Sequence, residues 1–441
     1  MSLIIPLELI YLCIAASRDC LPALLQVSLV SKECASEARK YVFKEINLDR
    51  RDRTVDAYSH YIQTLVNLLE SNRMLGNYVR ALVLPLEPSI YAASEVYTQD
   101  IPTILKHFTF LTMLSITPGD NCDWEALPDP LKQSISLRCS ASSITRLNFA
   151  NFLNFPRHLF QSAPNLTTLG LIQLSDNLKT EARSQSGPPA GRSLRSDSES
   201  RLASLTVLDA SSVVHSCTLT DPKWISKLRN LSWHISTQED LNLCCRIIRE
   251  CAGSLRELTI DFQFVIDTSP IYLGDILSLP QVTKLTLKSF IQLENEIDGG
   301  AESNLEIHLP LFLDIIRSQR SVQLFLIEIK AMNPSSHITS SESAAPPAIL
   351  RNRGAWNAMD DYLSSETTTR PIATILNFTI GLGNEQHRLL EAEEIAFKNQ
   401  LLQETHEVLH RTIKAERLWM IIDDEHWLIP ARYLVGRPEA Q

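Results

Sequence analysis

The chain has 441 residues, a formal net charge of −10, 44% hydrophobic residues and 21% charged residues, the balance of an ordinary folded protein with room for more than one domain. The acidic excess and the lack of any Lys/Arg cluster exclude nucleic-acid binding as its main purpose, because neutralising phosphates needs grouped cations. No stretch approaches the roughly 18 consecutive apolar residues that a membrane span needs.

Residues 3–16 are mostly apolar. No basic residue precedes them, and Pro6 and Glu8 interrupt the run, so a signal peptide is not expected. Pro6 suits the start of a helix, where a missing N–H costs nothing, and Leu7, Leu9, Ile10 and Ile14 follow it. A second helical repeat holds Leu21, Leu24, Leu25, Ser28, Leu29 and Val30, and a third holds Ala35, Ala38, Val42 and Phe43. Three such short helices make a poor independent core and call for a partner.

These residues resemble the F-box. Pro6-Leu7-Glu8-Leu9-Ile10 match its opening, Leu24, Leu25, Ser28, Leu29, Val30, Ser31 and Lys32 its middle, and Phe43 and Leu48 its close. The resemblance implies docking onto the Skp-type adaptor of a cullin–RING ubiquitin ligase through Pro6, Leu7, Leu9, Ile10, Leu24, Leu25, Leu29 and Val30. The competing reading is a generic three-helix cap on a larger domain.

The expected organisation is α/β: a small all-α F-box-like segment over 1–50, a connecting helix within 51–77, and a strand-and-helix array over 78–441. The connecting helix covers 55–75, with Tyr58, Tyr61, Ile62, Leu65, Leu68 and Leu69 on one side and a stop near Gly76-Asn77. From there a unit of the form apolar-x-x-apolar-x-apolar recurs: Val79-Leu82-Leu84, Leu111-Leu114-Ile116, Ile144-Leu147-Phe149, Leu166-Leu169-Leu171, Leu205-Leu208-Ala210, Leu228-Leu231-Trp233, Leu255-Leu258-Ile260, Val282-Leu285-Leu287, Val322-Phe325-Ile327 and Ala373-Leu376-Phe378. The end of each unit alternates apolar and polar residues, the period of a strand with one buried face. Helical patterns such as Leu241–Cys251 lie between units.

This array resembles a degenerate leucine-rich-repeat solenoid with a parallel sheet, lacking the asparagine that should follow each strand, where Leu174, Gln263 and Phe290 stand. The alternative is an irregular α/β domain whose strands share a pattern. Insertions poor in large apolar residues are expected at 176–203 and 333–347, since such segments cannot repay their ordering entropy. A capping helix is expected over 385–417, with Leu390, Phe397, Leu401 and Val408 on one stripe, and a closing strand and turn around Trp419–Ile429.

The alternating residues of three neighbouring strands are candidates for target binding: Asn230, Ser232 and His234; Glu257, Thr259 and Asp261; Lys284, Thr286 and Lys288. Their charge is expected to run from acidic around Glu257 and Asp261 to basic around Lys284 and Lys288. The string His406-Glu407-Val408-Leu409-His410 matches a zinc-protease pattern, but both histidines fall at the polar margin of the helix, so no metal is expected. No phosphate loop, nucleophile elbow or Cys/His arrangement stands out, and neither a cofactor nor an enzymatic activity is expected. The nine cysteines form no framework, which suits reduced thiols and a cytoplasmic or nuclear setting. The implied partners are a Skp-type adaptor, a cullin reached through it, and an unknown target protein. The alternative function is a repeat scaffold with a vestigial F-box, outside any ligase.

Overall fold

In a computed structural model, residues 6–49, 53–87, 95–119, 121–175, 201–220, 222–262, 279, 281–292, 304–318, 321–332, 350, 353–365, 373–381, 391–422 and 425–427 are described. They fall into two compact units, Met1–Trp224 and Ile225–Gln441. The expected insertion at 333–347 lies outside the described residues, as does all but the end of the one at 176–203.

The first unit opens with three helices, α1 (Leu7–Ala16), α2 (Leu21–Ser28) and α3 (Lys32–Val42). Each starts where its sequence directs. Pro6 precedes α1, Pro22 sits in the first turn of α2, and the Ser31 hydroxyl caps α3 by accepting from the Cys34 N–H at 3.1 Å. Their shared core is small: Ile14, Leu24, Cys34 and Ala38 are buried, with Ile10, Tyr11, Val27, Tyr41 and Val42 packed around them.

A strand, β1 (Glu45–Asn47), follows at once. Ile46 lies beside Leu82, and the Leu48 N–H donates to the Val83 carbonyl at 3.0 Å. Phe43 and Leu48, read from sequence as the close of the helical motif, therefore flank a sheet strand, and Leu48 is fully buried in it. Helix α4 (Val55–Ser71), capped by Thr54, buries Tyr58, Ile62, Val66 and Leu69. It ends earlier than periodicity suggested, because a 3-10 segment (Arg73–Tyr78) takes over. Gly76 is required in that segment: a Cβ there would stand 2.5 Å from the His107 carbonyl oxygen.

The sheet of the first unit continues through β2 (Ala81–Leu84), β3 (Met113–Ile116), β5 (Arg146–Leu153), β6 (Thr168–Leu174) and β7 (Ser204–Leu208), all parallel, with the short β4 (Cys122–Asp123) beside the end of β5. The sequence units fall into columns. Leu82, Leu114, Leu147 and Leu169 are successive partners, as are Leu84, Ile116, Phe149 and Leu171, and exposure in both columns is 2% or less. The fifth unit is corrected. Leu205 pairs with Leu169 and Val207 with Leu171, so the unit is Leu202-Leu205-Val207, not Leu205-Leu208-Ala210.

Two polar devices hold these columns together. At the strand beginnings, threonine hydroxyls donate to the carbonyl of the preceding unit: Thr112 to Arg80 (2.9 Å), Thr145 to Thr112 (3.3 Å) and Thr167 to Thr145 (3.0 Å). This threonine ladder does the linking that an asparagine ladder was expected to do, at the other end of the strand. At the strand ends, Asn151, Gln173 and Asp209 adopt left-handed backbone angles, with φ of 57°, 49° and 48°. They follow Phe149, Leu171 and Val207 at the same spacing, and β5 and β6 pair again beyond them, Phe152 beside Leu174.

The second unit holds a parallel sheet of β8 (Asn230–Ile235), β9 (Glu257–Phe262), β10 (Lys284–Gln292), β11 (Leu324–Met332), β12 (Ala373–Gly381) and β13 (Leu418–Ile422), closed by β14 (Glu425–Trp427) antiparallel to β13. The closing strand expected around Trp419 is thus present as β13, with β14 paired to it. Leu231, Leu258, Leu285 and Phe325 form one buried column and Trp233, Ile260, Leu287 and Ile327 another. In the next strand Thr374 pairs with Phe325 and Leu376 with Ile327, so the last sequence unit lies two residues out of register with its neighbours and keeps the same face inward.

Helical segments α9 (Gln238–Cys251), α10 (Asn304–Ser318) and α11 (Arg353–Ser364) connect these strands; they are numbered after α5 (Ile101–His107), α6 (Asp129–Cys139), α7 (His158–Gln161) and α8 (Ser211–Thr220) of the first unit. Helix α9 buries Leu241, Leu243, Cys244, Cys245, Ile247, Ile248 and Cys251, as its pattern predicts. The single capping helix is in fact two, α12 (Glu391–Val408) and α13 (His410–Lys414). The break is at Leu409, with φ −120° and ψ 27°. Among the described residues no helix is long and apolar enough to cross a membrane.

Candidate functional site

The three N-terminal helices carry more apolar side chains than their core can take. Leu7 is 40% exposed, Leu9 51%, Leu12 65%, Leu21 52%, Leu25 50%, Leu29 86% and Val30 74%. These seven lie within 24 consecutive residues, whereas the other large exposed hydrophobics are scattered over the described chain from Val55 to Trp419. Such a concentration marks a protein-binding surface far more than isolated exposed leucines do.

Of the residues singled out by sequence, Pro6, Leu7, Leu9, Leu25, Leu29 and Val30 are exposed and Ile10 is half-buried, while Leu24 is 1% exposed and belongs to the helical core. Leu12 and Leu21 were missed. The signal for them was present, since both are leucines on helices whose four-residue core cannot accommodate them.

The nine candidate positions on β8–β10 are brought together in register. Asn230, Glu257 and Lys284 make one row, Ser232, Thr259 and Thr286 a second, and His234, Asp261 and Lys288 a third. Thr286 is 3% exposed and unavailable to a partner. The expected run from acidic to basic is not what the side chains do; they contact one another across strands. His234 Nδ1 lies 3.3 Å from Asp261, Lys284 Nζ lies 3.9 Å from Glu257, and Lys288 pairs with Glu328 of β11. Parallel strands about 4.8 Å apart put each residue beside its in-register neighbour.

The same rows run on into β11–β13 and change character there. Thr286 is followed by Leu326, Ile375 and Trp419. Leu326 and Ile375 are half-buried and Trp419 is 37% exposed. Leu324 and Ala373 extend the first row, and Glu328, Asn377 and Ile421 the third. The sequence candidates were confined to the three clearest neighbouring units, β8–β10, and the apolar half of the face lies beyond them.

The His406–His410 string spans the break between α12 and α13, so the two imidazoles are not one turn apart on a continuous helix. His406 is exposed. His410 is largely exposed, with Nδ1 3.6 Å from the buried Asp360 carboxylate. The carboxylate between them, Glu407, is taken: it accepts from Arg353 at 3.0 Å and from Gln403 at 3.1 Å. Asp360 of α11 caps the N-terminus of α13 from more than fifty residues away. It accepts from the Arg411 N–H (3.1 Å), the Thr412 N–H (2.7 Å) and the Thr412 hydroxyl (2.7 Å). His410 therefore starts a helix that a distant aspartate holds in place. Among the described residues no group of three His, Cys, Asp or Glu is placed to hold a metal ion.

Other reactive groups are sealed in the core. Ser289 Oγ and His308 Nδ1 stand 2.8 Å apart, with Ser289 3% and His308 0% exposed and Phe262 and Phe312 against the imidazole. No substrate reaches a hydroxyl so enclosed. Burial pushes the thiols of Cys139 and Cys251 up to about 12 and that of Cys244 well above the ordinary range, which keeps them protonated and unreactive. No protein-family model matches the chain, and no curated protein is significantly similar to it in sequence.

Proposed function

We propose that this chain is a substrate-recognition subunit of a Skp–cullin–F-box ubiquitin ligase, holding the adaptor with its N-terminal helices and a target protein with its sheet units. The observation that carries the reading is the surplus of exposed leucines on α1 and α2, set on residues that resemble the F-box opening and middle. A partner that covers Leu7, Leu9, Leu25, Leu29 and Val30 removes from water the apolar surface these helices cannot bury themselves. The subunit does no chemistry; its contribution is proximity, raising the local concentration of a target beside the ligase.

The array is read as a degenerate leucine-rich-repeat solenoid. Support comes from the in-register apolar columns, the parallel strands with helical connections, and the threonine ladder. None of the nine cysteines is in a disulfide, which suits the reducing cytoplasm or nucleus.

The test is direct binding of a purified Skp-type adaptor to the full chain. The Leu7→Asp/Leu29→Asp double variant is expected to lose at least a hundredfold in affinity while its unfolding curve stays unchanged. Adaptor binding that survives the double variant, or wild-type protein that never binds, sinks the assignment and leaves a scaffold acting outside any ligase.

A further inference from the structure

The polar half of the second unit's open sheet face is already satisfied by its own cross-strand contacts. Glu257 is met by Lys284, Asp261 by His234, and Glu328 by Lys288. A strongly charged partner of either sign would meet a like charge beside the opposite one in the Glu257–Lys284 and Glu328–Lys288 pairs, and would have to break cross-strand pairs to gain its own. The ladder therefore presents alternating charge with little net field. Beside it lies the apolar row Leu326–Ile375–Trp419, flanked in the neighbouring rows by Leu324, Ala373 and Ile421. This is an unusual set for the open face of a sheet whose other positions, from Asn230 to Lys288, are polar. Trp419, more than a third exposed, stands at the end of the row.

From this geometry we propose that the β11–β13 half of the open face is the docking surface for the target: an extended, weakly charged segment of another protein, which sets a large aliphatic or aromatic side chain on Leu326, Ile375 and Trp419. The self-paired ladder admits such a segment and turns away highly acidic or highly basic ones. This deepens the target-binding role proposed above. It fails separately from the adaptor assignment, because adaptor binding is read on the N-terminal helices.

The experiment selects from a display library of random 12-residue peptides against the full chain. The variants Trp419→Thr and Leu326→Thr serve as controls, since threonine keeps the strand preference while removing the apolar surface. The expected result is an enriched group of peptides with a large apolar residue and few charges, binding at least tenfold more weakly to either variant. Their affinity should change less than about threefold between 50 and 500 mM salt, because little of it is electrostatic. Adaptor binding should be equal in all three proteins, and matching urea unfolding curves show that the variants fold.

Four results overturn the proposal. They are no enrichment over the variants; a highly charged consensus whose binding falls steeply with salt; a wild-type dimer that Trp419→Thr dissociates, which gives the face to a second copy; and a rise in acrylamide quenching of Trp419 on deletion of residues 428–441, which gives it to the chain's own tail.

Discussion

The N-terminal helices and the sheet that follows them spend the same residue type in opposite ways. In the sheet, leucine alternates with polar residues, and stacking parallel strands buries each one against the next: Leu82, Leu114, Leu147 and Leu169 are all 2% exposed or less. In α1 and α2 leucine recurs just as regularly, yet Leu9, Leu12, Leu25 and Leu29 remain half or more exposed. The difference is geometric. A strand gains a neighbour on each side and a helical layer behind it, so one residue in two is covered. Three helices of 10, 8 and 11 residues enclose room for only four fully buried side chains. Hydrophobic pattern alone thus says where an element is, and the volume available behind it decides whether its leucines form a core or an interface.

The largest effect should separate those two kinds of leucine by stability. Leu147→Ala removes a buried column residue between Leu114 and Leu169 and is expected to cost about 2–5 kcal/mol. Leu29→Ala removes a side chain that is 86% exposed and is expected to stay within about 0.5 kcal/mol. Urea unfolding of both variants beside the wild type decides it. A Leu29→Ala loss comparable to that of Leu147→Ala would mean that the N-terminal leucines are covered by the chain itself.

A smaller loss is expected where a buried polar group replaces apolar packing. Asp360→Ala leaves the Thr412 hydroxyl and the first N–H groups of α13 without their acceptor, at a cost of about 1–3 kcal/mol. His410→Ala should be nearly neutral in the same measurement and should leave the zinc content of the purified protein at background. Stoichiometric zinc lost in His410→Ala would restore the metal reading of the His406–His410 string.

Smaller still is the threonine ladder. Thr145→Val keeps the shape and removes the hydroxyl that donates to the Thr112 carbonyl at 3.3 Å, a carbonyl that also accepts from the Thr145 N–H at 2.9 Å. The Arg146 N–H donates to it as well, at 3.0 Å, so two donors remain to that acceptor and the expected cost is about 0.5–1 kcal/mol. A loss above about 2 kcal/mol would show that the ladder carries the stacking of the strands and does not merely trim it.

Much of this architecture was legible because period two is a strong signal. The columns from Val79 to Phe325 were read correctly except at Leu205. There, two overlapping matches, Leu202-Leu205-Val207 and Leu205-Leu208-Ala210, fit the same template, and only strand register chooses between them. Strand β1 was hidden because Phe43 and Leu48 also fit a helical motif, so one stretch satisfied two patterns. The ladder was sought as asparagine after each strand, when threonine before each strand performs the bonding. The break at Leu409 was invisible because its cause, Asp360, is about fifty residues distant in sequence, and no local pattern reports a cap from that far away. At the candidate surfaces, sequence placed most of the exposed N-terminal residues but could not tell Leu24 from Leu25. These adjacent leucines part company only because helix rotation puts one inward and the other outward.

The last prediction changes no stability and probes the same contrast through sulfur. Cys13 and Cys20 lie on the N-terminal helices and are exposed, while Cys34, in the small helical core, and the six cysteines of the sheet units are buried. Thiol reactivity needs both access and thiolate. Burial denies access throughout the sheet units and, by raising the thiols of Cys139, Cys244 and Cys251, removes the thiolate as well. An aromatic disulfide reagent at neutral pH should therefore label two thiols per native chain quickly, and all nine only in denaturant. Saturating adaptor should slow the two fast thiols if it covers the leucines around them, since Leu12 and Leu21 adjoin Cys13 and Cys20 in the chain. Three fast thiols would mean that the helical core around Cys34 or a sheet unit opens in solution, and four or more that a sheet unit does. Two fast thiols whose rate ignores the adaptor would place the adaptor away from this face, even if it binds.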